Sequence, residues 1–105
     1  MKRKAMPEKE YRASSLCRVL GNPTAYQIMK LLLSDFKKLS PTEISKKLGL
    51  SIVNTSKTLK NLRQVDLVRY ETERNEKKYY IKDKKVKKIF EALEFYIETT
   101  KEKKY

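Results

Sequence analysis

The chain contains no histidine or tryptophan, a single cysteine and two glycines among its 105 residues. A single cysteine excludes an internal disulfide and a thiolate cluster within one copy, which fits a reducing compartment. No histidine, Gly-rich phosphate loop or paired-carboxylate motif is present, so the usual groups of an enzyme active site are missing. We therefore expect a protein that binds rather than catalyses and that needs no cofactor.

Long apolar segments are also missing. No run approaches the ~20 residues that span a bilayer, and residues 1–4, Met-Lys-Arg-Lys, are not followed by a signal-like apolar stretch. We expect a cytoplasmic protein with no membrane partner. A chain of 105 residues forms one domain with one modest core, so residues 1–105 are predicted to be a single domain that begins with a basic arm, residues 1–7.

Positive charge is in excess: 26 lysines and arginines face 13 acidic residues, a net charge of +13 at pH 7. Residues 1–38 carry +6, residues 39–66 and 67–85 carry +3 each, and residues 86–105 carry +1. This excess makes a polyanion the first partner to consider. Because the last segment is nearly neutral, we expect it to face protein instead of nucleic acid.

Apolar spacing and capping residues divide the first part of the chain into two helices. A first helix is predicted from Glu8 to Leu20, and Gly21 ends it. Asn22-Pro23 supplies an N-cap followed by proline at the first helical position, which predicts a second helix at the centre of the core. Its apolar stripe consists of Tyr26 or Gln27, Ile28, Leu31, Leu32 and Phe36.

Residues 40–43, Ser-Pro-Thr-Glu, form a complete helix-start signature, in which the serine and the glutamate each accept from the other's backbone N–H. A short third helix follows and buries Ile44 and Leu48. Gly49 can adopt the left-handed conformation that stops it, and a serine then caps a fourth helix over about residues 51–64. A short helix, a glycine turn and a second helix form the helix-turn-helix pattern.

After Asp66 the pattern becomes strand-like. Residues 67–72 and 78–82 are rich in β-branched and aromatic side chains, and they flank the charged segment 74–77. Asn75 tolerates a positive φ, so we expect a β-hairpin with a charged tip. Residues 83–100 return to helix with an apolar stripe. The stripe consists of Val86, Ile89, Phe90, Leu93, Tyr96 and Ile97.

The fourth helix has two faces, because each residue advances by about 100°. Thr55, Leu59 and Leu62 mark the buried face, and no acidic residue occurs between Ser51 and Val65. The opposite face gathers amide, basic and short side chains, which contact base edges and phosphates. The DNA-binding residues predicted here are Val53, Asn54, Ser56, Lys57, Lys60 and Asn61, with Gln64 on the same face. The alternative is an ordinary solvent-exposed face, since any surface helix has a polar side. Two features favour DNA recognition: the face has no acidic residue, and the helix follows a capped short helix and a glycine turn.

The hairpin is predicted to be a wing that contacts the DNA backbone or enters the minor groove. Its DNA-binding residues are Arg69, Arg74, Lys77 and Lys78. Three glutamates on the same ribbon keep a purely solvated hairpin as the alternative. Tyr79 and Ile81 share one strand face and are assigned to the core.

The order of these elements resembles the ArsR family of winged-helix regulators. The matching segments, within residues 12–97, are Gly21-Asn22-Pro23-Thr24, Ile44 with Leu48-Gly49-Leu50-Ser51, Leu59-Lys60-Asn61-Leu62, Asp66-Leu67-Val68 and Tyr79-Tyr80. The resemblance implies a homodimer joined through the first and last helices, two recognition helices in successive major grooves, and release of DNA when an effector binds.

The apolar stripes of the terminal helices exceed what one small core needs, which favours a dimer interface that includes the helix over residues 83–100. The interface residues predicted are Leu16, Val19, Leu20, Ile89, Phe90, Leu93, Tyr96 and Ile97. The alternative is that both helices fold back onto their own domain. Cys17 is expected to be a small buried apolar residue, with a disulfide between two copies of Cys17 as the alternative.

Family metal sensors carry paired cysteines near the start of the third helix, or histidine and carboxylate ligands on the last helix. This chain has Leu39–Glu43 at the first place and no histidine at all, so we expect no metal site and no metal sensing.

Together these observations predict a mainly α fold with a small β-hairpin, a winged helix-turn-helix with extra N- and C-terminal helices. The predicted function is a sequence-specific, double-stranded DNA-binding transcriptional regulator, a repressor that binds a palindromic site as a homodimer. A sequence-tolerant architectural or genome-coating protein is the alternative, since the charge excess is large. A third hypothesis is a winged helix that binds RNA or another protein, because fold alone does not assign function.

Overall fold

The computed structural model describes residues 5–35 and 37–100, which form five α-helices and one β-hairpin. The elements are α1 (Glu8–Leu20), α2 (Pro23–Asp35), α3 (Pro41–Leu48), α4 (Ile52–Gln64), β1 (Val68–Glu73), β2 (Glu76–Ile81), a 3-10 turn (Lys84–Val86) and α5 (Lys87–Thr99). The predicted mainly α fold with a hairpin is confirmed. Phe36, most of the basic arm and the last five residues lie outside the described residues.

Helix starts follow the capping residues of the sequence. The Asn22 carboxamide oxygen accepts from the Ala25 N–H at 3.1 Å and begins α2. At α3, Ser40 Oγ accepts from the Glu43 N–H at 3.1 Å, and the Glu43 carboxylate accepts from the Ser40 N–H at 2.8 Å. Each bond satisfies an N–H that a helix start otherwise leaves without a partner.

The turn of the helix-turn-helix depends on Gly49. Its φ of +68° lies in the left-handed region, which reverses the chain after α3 at little steric cost. The Leu50 N–H then donates to the Ser45 carbonyl at 2.9 Å, and Ser51 caps α4 by accepting from the Asn54 N–H at 3.0 Å. The two helices are therefore joined by a short turn whose backbone groups are bonded.

The core lies where α2, α3, α4, the hairpin and α5 meet. Its fully enclosed side chains are Ile28, Met29, Leu32, Ile44, Leu59, Leu62, Val68 and Phe90. Burying a large apolar side chain contributes roughly 1.5–3 kcal/mol, so these contacts are what orient α4 on the protein. Ile28, Leu32 and Ile44 lie in the core as the sequence predicts, while Gln27 is exposed and Leu31 and Leu48 are partly buried.

The hairpin turn is shorter than predicted. The chain reverses at Arg74 and Asn75, which both have positive φ, 50° and 66°, so segment 74–77 is not a four-residue loop. Two consecutive left-handed residues form the tight turn whose twist matches the flanking strands. Glu76 and Lys77 consequently belong to β2, and Glu73 pairs with Glu76.

A third short segment extends this two-stranded sheet. The Leu39 N–H donates to the Tyr79 carbonyl at 2.9 Å, and the Tyr79 N–H donates to the Leu39 carbonyl at 2.8 Å. Tyr79 and Ile81 are buried, as expected from their shared strand face. The wing is thereby hydrogen-bonded to the segment that enters the helix-turn-helix.

The terminal helices bury little of their apolar surface. In α5, Phe90 is 1% exposed, while Leu93, Tyr96 and Ile97 are 45%, 67% and 62% exposed. Leu20 is buried as well, which places Leu20 and Phe90 in the core of the protomer rather than on the surface where the sequence analysis put them. Cys17 is exposed on α1, so its expected burial is wrong for the single chain.

Candidate nucleic-acid interface

Helix α4 rests on the protein through one face. Leu59 and Leu62 are fully buried, and so is Thr55, whose hydroxyl donates to the Ser51 carbonyl at 2.9 Å. Thr58 is buried beside them, which the sequence analysis did not include. These anchors turn the other side of α4 outward as a rigid surface.

The outward side of α4 carries every residue that the sequence analysis placed there. All of them are exposed, and no acidic residue interrupts them: Val53, Asn54, Ser56, Lys57, Lys60, Asn61 and Gln64. Val53 is 74% exposed and adds a branched apolar side chain to this surface. Amide, ammonium and methyl groups can thus approach the edges of bases together.

The two flanks of this surface differ. Ser56, Lys60 and Arg63 follow one another at helical spacing on the flank nearer the wing, since the Arg63 guanidinium lies 5.5 Å from the centre of the Tyr70 ring in β1. Asn54 lies on the other flank, where its side-chain oxygen accepts from the Thr58 hydroxyl at 3.5 Å. The outer surface of α4 therefore has a basic side towards the wing and an amide side away from it.

The predicted wing residues do not all have the same surroundings. Arg74 is exposed at the turn, and the Lys77 ammonium lies 4.9 Å from the centre of the Tyr70 ring. Lys78 instead donates to Glu43 at 3.0 Å and lies 3.6 Å from Glu76, and the Arg69 guanidinium lies 3.8 Å from Asp66. Arg74 and Lys77 thus have no carboxylate within 4.0 Å among the described residues, whereas Lys78 and Arg69 face carboxylates of the protein.

Hydrogen bonds shift the pKa values of three side chains at the base of the wing, Glu43, Lys78 and Asp66. The Ser40 backbone N–H and then the Lys78 ammonium hold the pKa of Glu43 below its usual range, and the bond to Glu43 raises the pKa of Lys78. The Lys82 ammonium similarly bonds the Asp66 carboxylate and lowers its pKa. These carboxylates remain charged at neutral pH and hold the base of the wing in place.

Charge pairing separates two groups of basic residues. In the described part of the chain, cations that lie within 4.0 Å of a carboxylate include Arg12, Lys30, Lys38, Arg69, Lys78, Lys82 and Lys85. No such carboxylate lies near five other basic residues: Lys57, Lys60 and Arg63 of α4, Arg74 at the hairpin turn and Lys77 of β2. Basic residues elsewhere in the described chain, such as Lys46, Lys47 and Lys88, also have no carboxylate within 4.0 Å, so the outward surface of α4 is distinguished by its lack of acidic residues and not by charge pairing alone.

Arg63 and Tyr70 also lie at this surface, although neither was among the predicted DNA-binding residues. Arg63 lies between the buried and outward faces of α4, and its relation to Tyr70 depends on how the hairpin folds back beside the helix. The sequence does contain a local signal for this contact: a basic residue in the last turn of the second helix of the helix-turn-helix, followed by an aromatic residue in the first strand of the hairpin.

Helix α5 is fixed to α2 by polar contacts beside its exposed apolar stripe. Glu94 accepts from the Tyr26 hydroxyl at 2.7 Å and from the Lys30 ammonium at 2.8 Å. Burial and the bond to Glu94 raise the pKa of Tyr26 to about 12, and the bonds from Lys30 and Tyr26 lower the pKa of Glu94. These bonds orient α5 so that its stripe of Ile89, Leu93, Tyr96 and Ile97 stays outward.

Over residues 5–35 and 37–100, no three histidine, cysteine or acidic side chains come together in a way that suits a metal ion. None of the helices in that part of the chain is both long and apolar enough to cross a bilayer.

A capped helix-turn-helix followed by a hairpin that packs beside its second helix defines a winged helix-turn-helix protein. The model of the family described as bacterial regulatory protein, arsR family, matches residues 22–70. HlyU from Vibrio cholerae has 31% sequence identity to the chain, covers 84% of this chain and 94% of its own, and has a TM-score of 0.73. The chain belongs to the arsR family of bacterial regulatory proteins, whose fold is that of DNA-binding transcriptional regulators.

Two further solved structures have the same fold. NolR from Sinorhizobium fredii is 26% identical, with a TM-score of 0.74 and coverage of 90% of this chain and 97% of that one. A homodimeric winged helix-turn-helix DNA-binding domain from Mycobacterium bovis is 18% identical, with a TM-score of 0.75 and coverage of 91% of each chain. No curated protein sequence matches the chain.

Proposed function

We propose that this protein is a sequence-specific transcriptional regulator that binds double-stranded DNA as a homodimer through α4 and the wing. The observation that carries the proposal is the outward face of α4, which exposes amide and ammonium groups with no acidic residue between them and lies beside exposed cations of the wing. Phosphate contacts supply affinity and position the protein, and base-edge contacts supply sequence preference. Asn54, Lys57 and Asn61 are the residues that we assign to the bases, and Arg74 to the backbone.

The homodimer is supported by the unpartnered apolar stripe on α5. Ile89, Leu93, Tyr96 and Ile97 remain exposed in one protomer, and an open groove of about 910 Å3 lies between α1 and the end of α4. Tyr11 and Leu16 line that groove. Contiguous apolar surface of this kind on a small soluble domain marks an interface, and the Mycobacterium bovis domain of the same fold is homodimeric.

A symmetric dimer carries its two recognition helices to two half-sites. If both enter the major groove, the half-site centres lie about one helical turn apart, ~34–36 Å, and the preferred DNA site is a palindrome. A dimer seated on a promoter obstructs transcription, so we propose repression as the outcome and the cytoplasm as its location. The protein acts by binding alone, without catalysis and without a metal, since zinc and soft metals need imidazole or thiolate ligands.

Selection of bound duplexes from a random pool tests this function. The account predicts one recovered motif with two-fold symmetry, and at stated salt an affinity for it roughly 10³-fold or more above that for random duplex. A bound pool with no shared motif would instead favour the sequence-tolerant architectural role that the net charge of +13 suggests. Binding to single-stranded RNA but not to duplex DNA would refute both.

A further inference from the structure

At the junction of α4 and the wing, two cations share one aromatic ring. Arg63 Cζ lies 5.5 Å and Lys77 Nζ lies 4.9 Å from the centre of the Tyr70 ring. The two charged groups are therefore no further apart than the sum of these distances, 10.4 Å. One cation comes from the last turn of the recognition helix and the other from the second strand of the wing.

Neither cation has a carboxylate partner within the described residues, although acidic side chains are close in sequence. Glu76 lies 3.6 Å from Lys78 instead of pairing with Lys77, and Asp66 binds Lys82 and Arg69 instead of Arg63. Like charges that face a common ring repel one another, and the ring attracts each of them only weakly when it is exposed to water. An anion that contacts both groups offsets this repulsion.

We infer that Arg63 and Lys77, held by the Tyr70 ring, form a clamp for the phosphate backbone of DNA where α4 meets the wing. The inference rests on the proposed function and extends it to residues that contact phosphate between the two elements. Guanidinium and ammonium groups are the side chains that bind phosphate oxygens most strongly. Lys60 and Ser56 continue the same flank of α4 towards its start, so the clamp is the end of a basic row along the helix.

Tyr70 is a positioning residue in this arrangement. It is partly buried, and its ring packs against Tyr79 with a centre-to-centre distance of 5.3 Å. Tyr79 is itself hydrogen-bonded through its backbone to Leu39, so the ring is fixed to the sheet. The ring therefore keeps both cations beside the recognition helix, which reduces the loss of side-chain freedom when phosphate binds.

The clamp is tested by the salt dependence of binding to a random-sequence DNA duplex of about three helical turns, ~30 base pairs. The slope of log affinity against log salt is negative, and its magnitude, called the slope below, falls by about 0.9 for each phosphate interaction that is removed. We expect Arg63→Gln/Lys77→Gln to lower the slope by that amount or more for each protomer that contacts DNA. Lys9→Gln/Lys88→Gln, which removes two exposed charges from α1 and α5, is the charge-matched control and should leave the slope unchanged. A wild-type slope for the double variant would overturn the clamp.

Substitution of the ring separates positioning from general stability. Tyr70→Phe keeps the ring and should keep the wild-type slope, while Tyr70→Leu should lower the slope even where circular dichroism shows a folded protein. A Tyr70→Leu slope equal to that of the wild type would contradict the role of the ring. These outcomes are distinguishable from failure of the proposed function itself. In that case the wild-type protein would yield no selected motif or would not bind DNA at all.

Discussion

Lys78 Nζ donates to Glu43 Oε1 at 3.0 Å, and the same oxygen accepts from the Ser40 backbone N–H at 2.8 Å. One carboxylate therefore caps α3 and binds the second strand of the wing. Because α3 begins the helix-turn-helix, this contact sets the position of the wing relative to α4. Lys78, predicted from the sequence to bind DNA, is here bonded to a carboxylate of the protein.

The Glu43 contact predicts a pH dependence of stability. Hydrogen bonds lower the pKa of Glu43 below 4.5, so the carboxylate stabilises the fold above that pH and loses this effect as the pH falls through its folded value. Glu43→Gln keeps an oxygen that can cap α3 but removes the charge. Since Glu43 is half exposed, we expect this variant to be less stable by about 0.5 kcal/mol at pH 7 in urea unfolding.

At a pH below 4.5 the difference between the wild type and Glu43→Gln should be smaller than at pH 7, because the carboxylate is protonated progressively as the pH falls through its lowered folded pKa. Glu98→Gln, an exposed change on α5, is the control and should alter stability at neither pH. A difference between wild type and Glu43→Gln that persists undiminished at the lower pH would contradict the role given to this charge.

The turn between α3 and α4 predicts a purely conformational cost at Gly49. Its φ is +68°, and a Cβ built there meets no atom within 4 Å. Gly49→Ala should therefore destabilise the fold by roughly 1–2 kcal/mol through the left-handed backbone alone, whereas Gly49→Asn should cost less because Asn adopts that conformation more readily. Thermal unfolding of both variants measures this. Equal stability of Gly49→Ala and the wild type would show that the turn is not constrained.

The dimer proposal predicts an asymmetry between two exposed apolar residues of α5. Leu93 lies in the stripe with Ile89 and Tyr96, whereas Phe95, 66% exposed, lies on a different side of the helix. Leu93→Glu buries an uncompensated charge in the dimer and should weaken association by about 3 kcal/mol or more, over 100-fold. Phe95→Glu is the matched control and should leave the dimer intact. Sedimentation equilibrium measures both, and an unaltered dimer for Leu93→Glu would contradict the interface.

Local signals explain which parts of the fold the sequence reveals. The starts of α2, α3 and α4 follow from side chains that bond backbone N–H groups three residues away, as at Asn22, Ser40 and Ser51. The outward face of α4 follows from helical periodicity alone. Such signals need no knowledge of distant contacts, so a single sequence contains them.

Features that depend on pairing between distant segments were not predictable in the same way. The hairpin turn closes at Arg74 and Asn75 although neither is glycine, because β1 and β2 pair in a register that brings Glu73 opposite Glu76. An apolar stripe likewise does not show which of its members face the core. Phe90 packs against the Tyr26 ring at 4.8 Å within the protomer, while Ile97 stays exposed.

The most direct test of the account is the affinity of Asn54→Ala/Lys57→Ala for the duplex recovered by selection, measured beside a random duplex at one salt concentration. Base contacts at these two positions are worth ~1–3 kcal/mol each, so we expect the variant to lose ~10-fold or more in affinity for the selected duplex. Its affinity for the random duplex should fall much less, so sequence preference is reduced. Retention of wild-type affinity and preference by the folded variant would contradict the assignment of α4 as the reading surface.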